Sequence, residues 1–100
     1  MNPMIVDFRK LQSFVKIVDA GSISRAAGIL NTAQPALSQQ IAALEQHFGQ
    51  QLLIRSNSGV APTQAGLVLY RHALFMLKHL EQVQLDVSRA SDALAGHVSV

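Results

Sequence analysis

Between Gln34 and Gln46 the sequence QPALSQQIAALEQ is made of amides, a serine and small or aliphatic residues, with Glu45 as its one charge. Counted at 100° per residue from Leu37, a helix here turns Leu37, Ile41, Leu44 and Phe48 to one side. Pro35, Ser38, Gln39, Ala42 and Gln46 fall on the other side, with Gln34 at the N-terminal tip. Amides donate and accept together, which is what the edges of bases in a major groove require. A face with no outward carboxylate also avoids repelling phosphates. An ordinary solvated face would interleave Lys and Glu, and this one does not. Hydroxyls and cations suited to phosphate oxygens lie nearby in the sequence: Ser22, Ser24, Arg25, Thr32, Arg55 and Thr63, with Asn57 and Ser58 between two short extended runs.

Other chemistries find no support. There is no cysteine, so thiolate metal sites, Cys nucleophiles and disulfides are excluded. His72 and His79 are seven apart, not the four of a helical metal pair, and no carboxylates gather around them. No glycine-rich phosphate loop, nucleophile elbow or catalytic triad can be assembled. The expectation is a non-enzyme with no metal and no cofactor.

The elements that must position the glutamine face follow from periodicity and caps. Phe8, Leu11, Val15 and Val18 predict a first helix, started by Asp7 and ended by Gly21. Ser22 or Ser24 caps a short second helix that buries Ile23, Ala26, Ala27 and Leu30, with Gly28 as a local weakness. The third helix starts between Thr32 and Pro35 and is closed by Gly49. Leu52–Arg55 and Gly59–Ala61 predict a hairpin around Ser-Asn-Ser-Gly, and Thr63 caps a long last helix. Two short helices joined by a tight turn, then a hairpin, describe a helix-turn-helix with a wing.

Composition agrees with one small helical domain. The chain has 100 residues, 49% of them hydrophobic and 14% charged. Its net charge of +2 lies wholly in residues 1–62, while residues 63–100 balance three cations against three acids. That modest excess permits an anionic partner without demanding one. Charges interrupt the apolar stretch from Leu67 to Leu80, and Asp7, Arg9 and Lys10 precede any signal-peptide core, so a cytoplasmic protein without membrane spans is expected.

LNTAQPALSQQIAALEQHFGQQLLIR, preceded by GSISRAAGIL and followed by PTQAG, closely resembles the DNA-binding region of LysR-type transcriptional regulators over residues 8 to about 95. Within that family QPALSQQ and QQLLIR are most similar to the nitrogen assimilation control branch. The resemblance implies a mainly α, winged helix-turn-helix fold whose third helix reads double-stranded DNA through Gln34, Pro35, Ser38 and Gln39. It also implies backbone contacts near Arg55 and Thr63, and a linker helix that pairs antiparallel with its copy. The chain departs from the family at Gln39, where many members carry Arg, at Ile54, where an aromatic is usual, and at Gly28 and the uncharged wing tip Asn57-Ser58.

Tyr70, Ala73, Leu77, Leu80, Gln84, Val87, Ser91 and Leu94 recur at steps of three and four along the last helix. A helix running from Thr63 to Leu94 would be about 48 Å long, more than a small domain can cover. Its stripe is therefore expected to form a homodimer seam through Tyr70, Ala73, Leu77, Leu80 and Val87, with higher oligomers left open. The division expected is 1–62 for the winged domain, 63–95 for the linker and dimerisation helix, and 96–100 for the start of a ligand-sensing domain. Gly96-His97-Val98-Ser99-Val100 alternates like the beginning of a strand. Any small-molecule inducer would act through that further domain. The rival reading is a helical module that binds protein and no DNA.

Overall fold

A computed structural model describes the backbone of residues 7–99 and the side chains of residues 7–91. It contains α1 (Phe8–Ala20), α2 (Ile23–Leu30), α3 (Gln34–Phe48), β1 (Leu53–Ser56), β2 (Gly59–Pro62) and α4 (Gln64–Ser99). The boundaries have local causes. The Asp7 carboxylate accepts the Arg9 N–H at 2.9 Å and so caps α1. Gly21, at φ 67°, ends α1 in the left-handed conformation that glycine takes without penalty. The Ser22 hydroxyl accepts the Arg25 N–H at 3.1 Å and starts α2. Asn31, the one non-glycine with positive φ among the described residues, ends it.

The core gathers where α1, α2, α3 and the start of α4 meet, around Phe14, Ile17, Leu37, Ile41, Leu44 and Leu52, all almost fully buried. Ala26, with no exposed surface, lets α2 approach its neighbours closely. The hairpin pairs Leu53 with Pro62, Ile54 with Ala61, Arg55 with Val60 and Ser56 with Gly59. Its second strand is tied to the α1–α2 corner by the Val60 N–H, which donates to the Gly21 carbonyl at 3.0 Å. A Cβ on Gly59 would stand 2.4 Å from that same carbonyl oxygen, so the approach needs glycine there.

Four expectations about burial and extent change. Phe8 and Phe48 lie at helix ends and are 45% and 42% exposed, so the apolar stripes of α1 and α3 are shorter than their periodicity suggests. Phe48 instead borders an open apolar groove of about 550 Å³ shared with Leu52, Val68, His72 and Met76. Leu30 is half-buried, not enclosed. Residues 96–99 continue α4 and form no strand. A strand must find hydrogen-bond partners on another strand, whereas a helix satisfies its own backbone. The side chain of Leu94 and residue Val100 lie outside what is described.

Candidate nucleic-acid interface

α3 presents Gln34, Pro35, Gln39, Ala42, Ala43 and Gln46 to solvent, with Ser38 half-buried beside them. The four expected readers thus share one helix and one side of it. No outward charge sits among them, because Glu45, half-buried, is turned to the protein. The start of α3 is capped by Ala33, which brings no side-chain hydrogen bond, and Pro35 occupies the first turn. Pro35 has no N–H and the Ala36 N–H goes to the Ala33 carbonyl at 3.1 Å, so what remains for an anion there is the positive end of the helix dipole.

The expected phosphate holders divide into two groups. Ser24, Arg25, Arg55 and Asn57 are exposed, and neither arginine has a carboxylate within salt-bridge range among the described residues. The Ser22 and Ser24 hydroxyls hydrogen-bond each other at 3.2 Å at the start of α2, and Ser22 also accepts the Arg25 N–H, which leaves one hydroxyl proton of the pair for an outside acceptor. Thr32 and Thr63 are different. The Thr32 hydroxyl donates to the Leu30 carbonyl at 3.2 Å and its N–H to the Ala27 carbonyl at 2.9 Å. The Thr63 hydroxyl donates to the Gln51 carbonyl at 2.6 Å and accepts the Gly66 N–H at 2.9 Å, while its N–H goes to the Leu52 carbonyl at 3.0 Å. Both threonine hydroxyls donate inside the fold in this arrangement, unlike the exposed Ser24, Arg25, Arg55 and Asn57.

The expected seam on α4 also divides. Ala73 has no exposed surface and belongs to the domain's own core. Leu77 is half-buried against that core, and the half-buried Tyr70 donates its hydroxyl to the Asp19 carboxylate on α1. That hydrogen bond, followed by partial desolvation and the nearby negative charge, raises the Tyr70 pKa above the ordinary phenol value of about 10. From Leu80 onward every described residue of α4 is exposed, including Leu80, Val83, Leu85 and Val87. α1 has 13 residues against 36 in α4, and an open groove between them reaches Leu80, Glu81 and Gln84, so Val87 lies beyond the part of α4 that α1 accompanies. The stripe is one pattern in sequence and two surfaces in space.

Two features were not anticipated. Glu45 accepts the Leu52 N–H at 2.8 Å and the Leu53 N–H at 3.3 Å, joining α3 to the base of the wing. Its signal was its isolation, as the one acid in a helix otherwise free of charge. The half-buried Gln40 has an enclosed Oε1 without a hydrogen-bond partner, and nothing in its spacing signals that. Among the described residues no group of three or more His, Cys, Asp or Glu could hold a metal, and no helix is long and apolar enough to cross a membrane.

Residues 8–67 match the family model described as bacterial regulatory helix-turn-helix protein, lysR family. The chain belongs to the LysR family. It is 55% identical over 95 residues to the nitrogen assimilation regulatory protein nac of Escherichia coli (strain K12), and 53% identical over 95 residues to that of Klebsiella aerogenes. These alignments take in 95% of this chain and 31% of each relative, so the chain spans about a third of their length. Among solved structures, a BenM_DBD/catB site 1 DNA complex superposes with TM-score 0.83 at 36% identity, covering 86% of this chain and 97% of that one. A CbnR_DBD–DNA complex superposes with TM-score 0.77 at 36% identity, covering 86% and 98%. The winged helix-turn-helix with a long C-terminal helix expected from the sequence is thus the fold of this LysR member.

Proposed function

We propose that this LysR-family chain binds double-stranded DNA sequence-specifically as the DNA-binding part of a dimeric bacterial transcriptional regulator acting in the cytoplasm. α3 enters the major groove and reads base edges through Gln34, Pro35, Ser38 and Gln39. Ser22, Ser24, Arg25, Arg55 and Asn57 hold the backbone, together with the uncapped start of α3. The observation that carries this reading is the uncharged, amide-bearing outer face of α3 within a fold that superposes on two DNA-bound family members. Residues 1–62 bind DNA and 63–95 dimerise.

The test is selection of bound duplexes from a random pool, followed by Gln34→Ala. With amides and no arginine on the reading face, A·T pairs should be specified more strongly than G·C pairs. Gln34→Ala should weaken the selected duplex by about 1–3 kcal/mol and random DNA little. Equal losses on both would remove Gln34 from the readers. A pool from which nothing is enriched would return the chain to the protein-interaction reading.

A further inference from the structure

The three residues at the base of the wing are gripped from two sides. From α3, the Glu45 carboxylate takes the N–H groups of Leu52 and Leu53 at 2.8 Å and 3.3 Å. From the other side, Thr63 at the start of α4 binds the carbonyls of Gln51 and Leu52 at 2.6 Å and 3.0 Å. Gly66 packs so closely that a Cβ there would stand 2.0 Å from the Leu52 oxygen. The wing base and the start of α4 are therefore one unit. Its side-chain hydrogen bonds to α3 come from a single carboxylate, which accepts both with charge assistance. Leu53 opens β1, and Arg55 lies two residues on, about 7 Å along the strand. Arg55 is paired with Val60, whose N–H is held by the Gly21 carbonyl at 3.0 Å, so its place depends on the wing base at one end of the strand and on the α1–α2 corner at the other.

We propose that Glu45 is a positioning residue: its carboxylate sets the wing's place relative to α3, so that Arg55 and the α3 face engage one duplex together. The inference rests on the DNA-binding reading above. It also opposes the simplest electrostatic expectation in sign. Deleting an acid from a DNA-binding surface removes repulsion of phosphates and ordinarily tightens binding. Here the deletion loses a phosphate contact, because Arg55 is no longer held where the backbone passes.

The salt dependence of binding separates these outcomes. The parental protein, Glu45→Gln, Glu45→Asp, Glu45→Ala, Arg55→Ala and the Glu45→Ala/Arg55→Ala double variant are titrated against a duplex that the parental protein selects from a random pool. Glu45→Gln keeps an acceptor of the same reach and retains the parental slope. Glu45→Asp keeps the charge but is one methylene too short. It and Glu45→Ala lower the slope of log affinity against log salt by about one unit per wing, as Arg55→Ala does, and the double variant lowers it no further. If Glu45→Ala is unfolded by circular dichroism, the Asp and Gln pair carries the comparison. A parental or steeper slope for Glu45→Ala or Glu45→Asp overturns the proposal. So does a Gln variant that loses the slope, an Arg55→Ala variant that keeps it, or an Arg55 effect undiminished in the Glu45→Ala background. Failure of the DNA-binding reading is visible separately, as a parental protein that selects no sequence.

Discussion

Val87→Lys tests dimerisation without disturbing the domain that reads DNA. Val87 is 64% exposed, and all described residues of α4 beyond it are exposed too, so the substitution touches nothing in its own protomer's core. Fully burying a valine or leucine side chain contributes about 1.5–3 kcal/mol. Scaled by the exposed fraction, covering Val87 by a partner helix contributes about 1–2 kcal/mol per protomer, and two-fold symmetry doubles it. Losing about 2–4 kcal/mol weakens association by about 30- to 1,000-fold, before the cost of placing two lysines in the seam. Sedimentation equilibrium should show a monomer at concentrations where the parental protein is dimeric. Without a partner the exposed part of α4 loses the tertiary packing from which most helical stability comes, so it frays from its end and the signal at 222 nm should fall while the melting of the core is retained. Affinity for a duplex with two half-sites should collapse, and affinity for one half-site should not. A Val87→Lys protein that dimerises with the parental constant would refute this surface as the seam. Leu77→Lys, which the periodicity alone would recommend, is a poorer test because Leu77 packs on its own core.

Three further outcomes are expected. Gly28→Ala should stabilise the protein by about 0.5–1 kcal/mol, since nothing lies within 4 Å of a Cβ there and α2 gains helix propensity; thermal melting should rise by about 2–8 °C, and a fall would contradict the open space. Gly66→Ala should do the opposite, losing about 3 kcal/mol or more, because the new Cβ meets the Leu52 carbonyl at 2.0 Å and backbone cannot turn aside; an unchanged melt in urea would show that α4 does not pack so closely. Tyr70 is the only tyrosine and there is no tryptophan, so phenolate absorbance reports it alone. Its folded pKa is raised, so the Asp19 bond stabilises fully below the unfolded value of about 10 and is lost as pH rises through the folded one. Stability should fall across that alkaline range more steeply in the parental protein than in Tyr70→Phe, and parallel curves would deny the bond.

The nearest-neighbour features of the fold were legible in the residues. Asp7 and Ser22 cap the helices they precede, Gly21 and Gly49 close the helices they follow, and the hairpin forms around the Ser-Asn-Ser-Gly turn. Each depends on groups within a few positions along the chain, so type and spacing are enough. The outer face of α3 was legible for the same reason, since Leu37, Ile41 and Leu44 on one side define the other. The family motif added the architecture and the residues to watch.

Tertiary structure decided what depends on reach between elements. A threonine's sequence position says that a hydroxyl is present, but only packing showed that Thr32 and Thr63 donate inward. The stripe on α4 is continuous in spacing, yet α1 ends partway along it, leaving Ala73 in the core and Val87 in solvent. Glu45 looked like one stray charge until the fold brought Leu52 and Leu53, seven and eight residues away, within hydrogen-bond distance. Periodicity reports which residues share a face of one helix, while the length and placement of its neighbours determine which part of that face is covered.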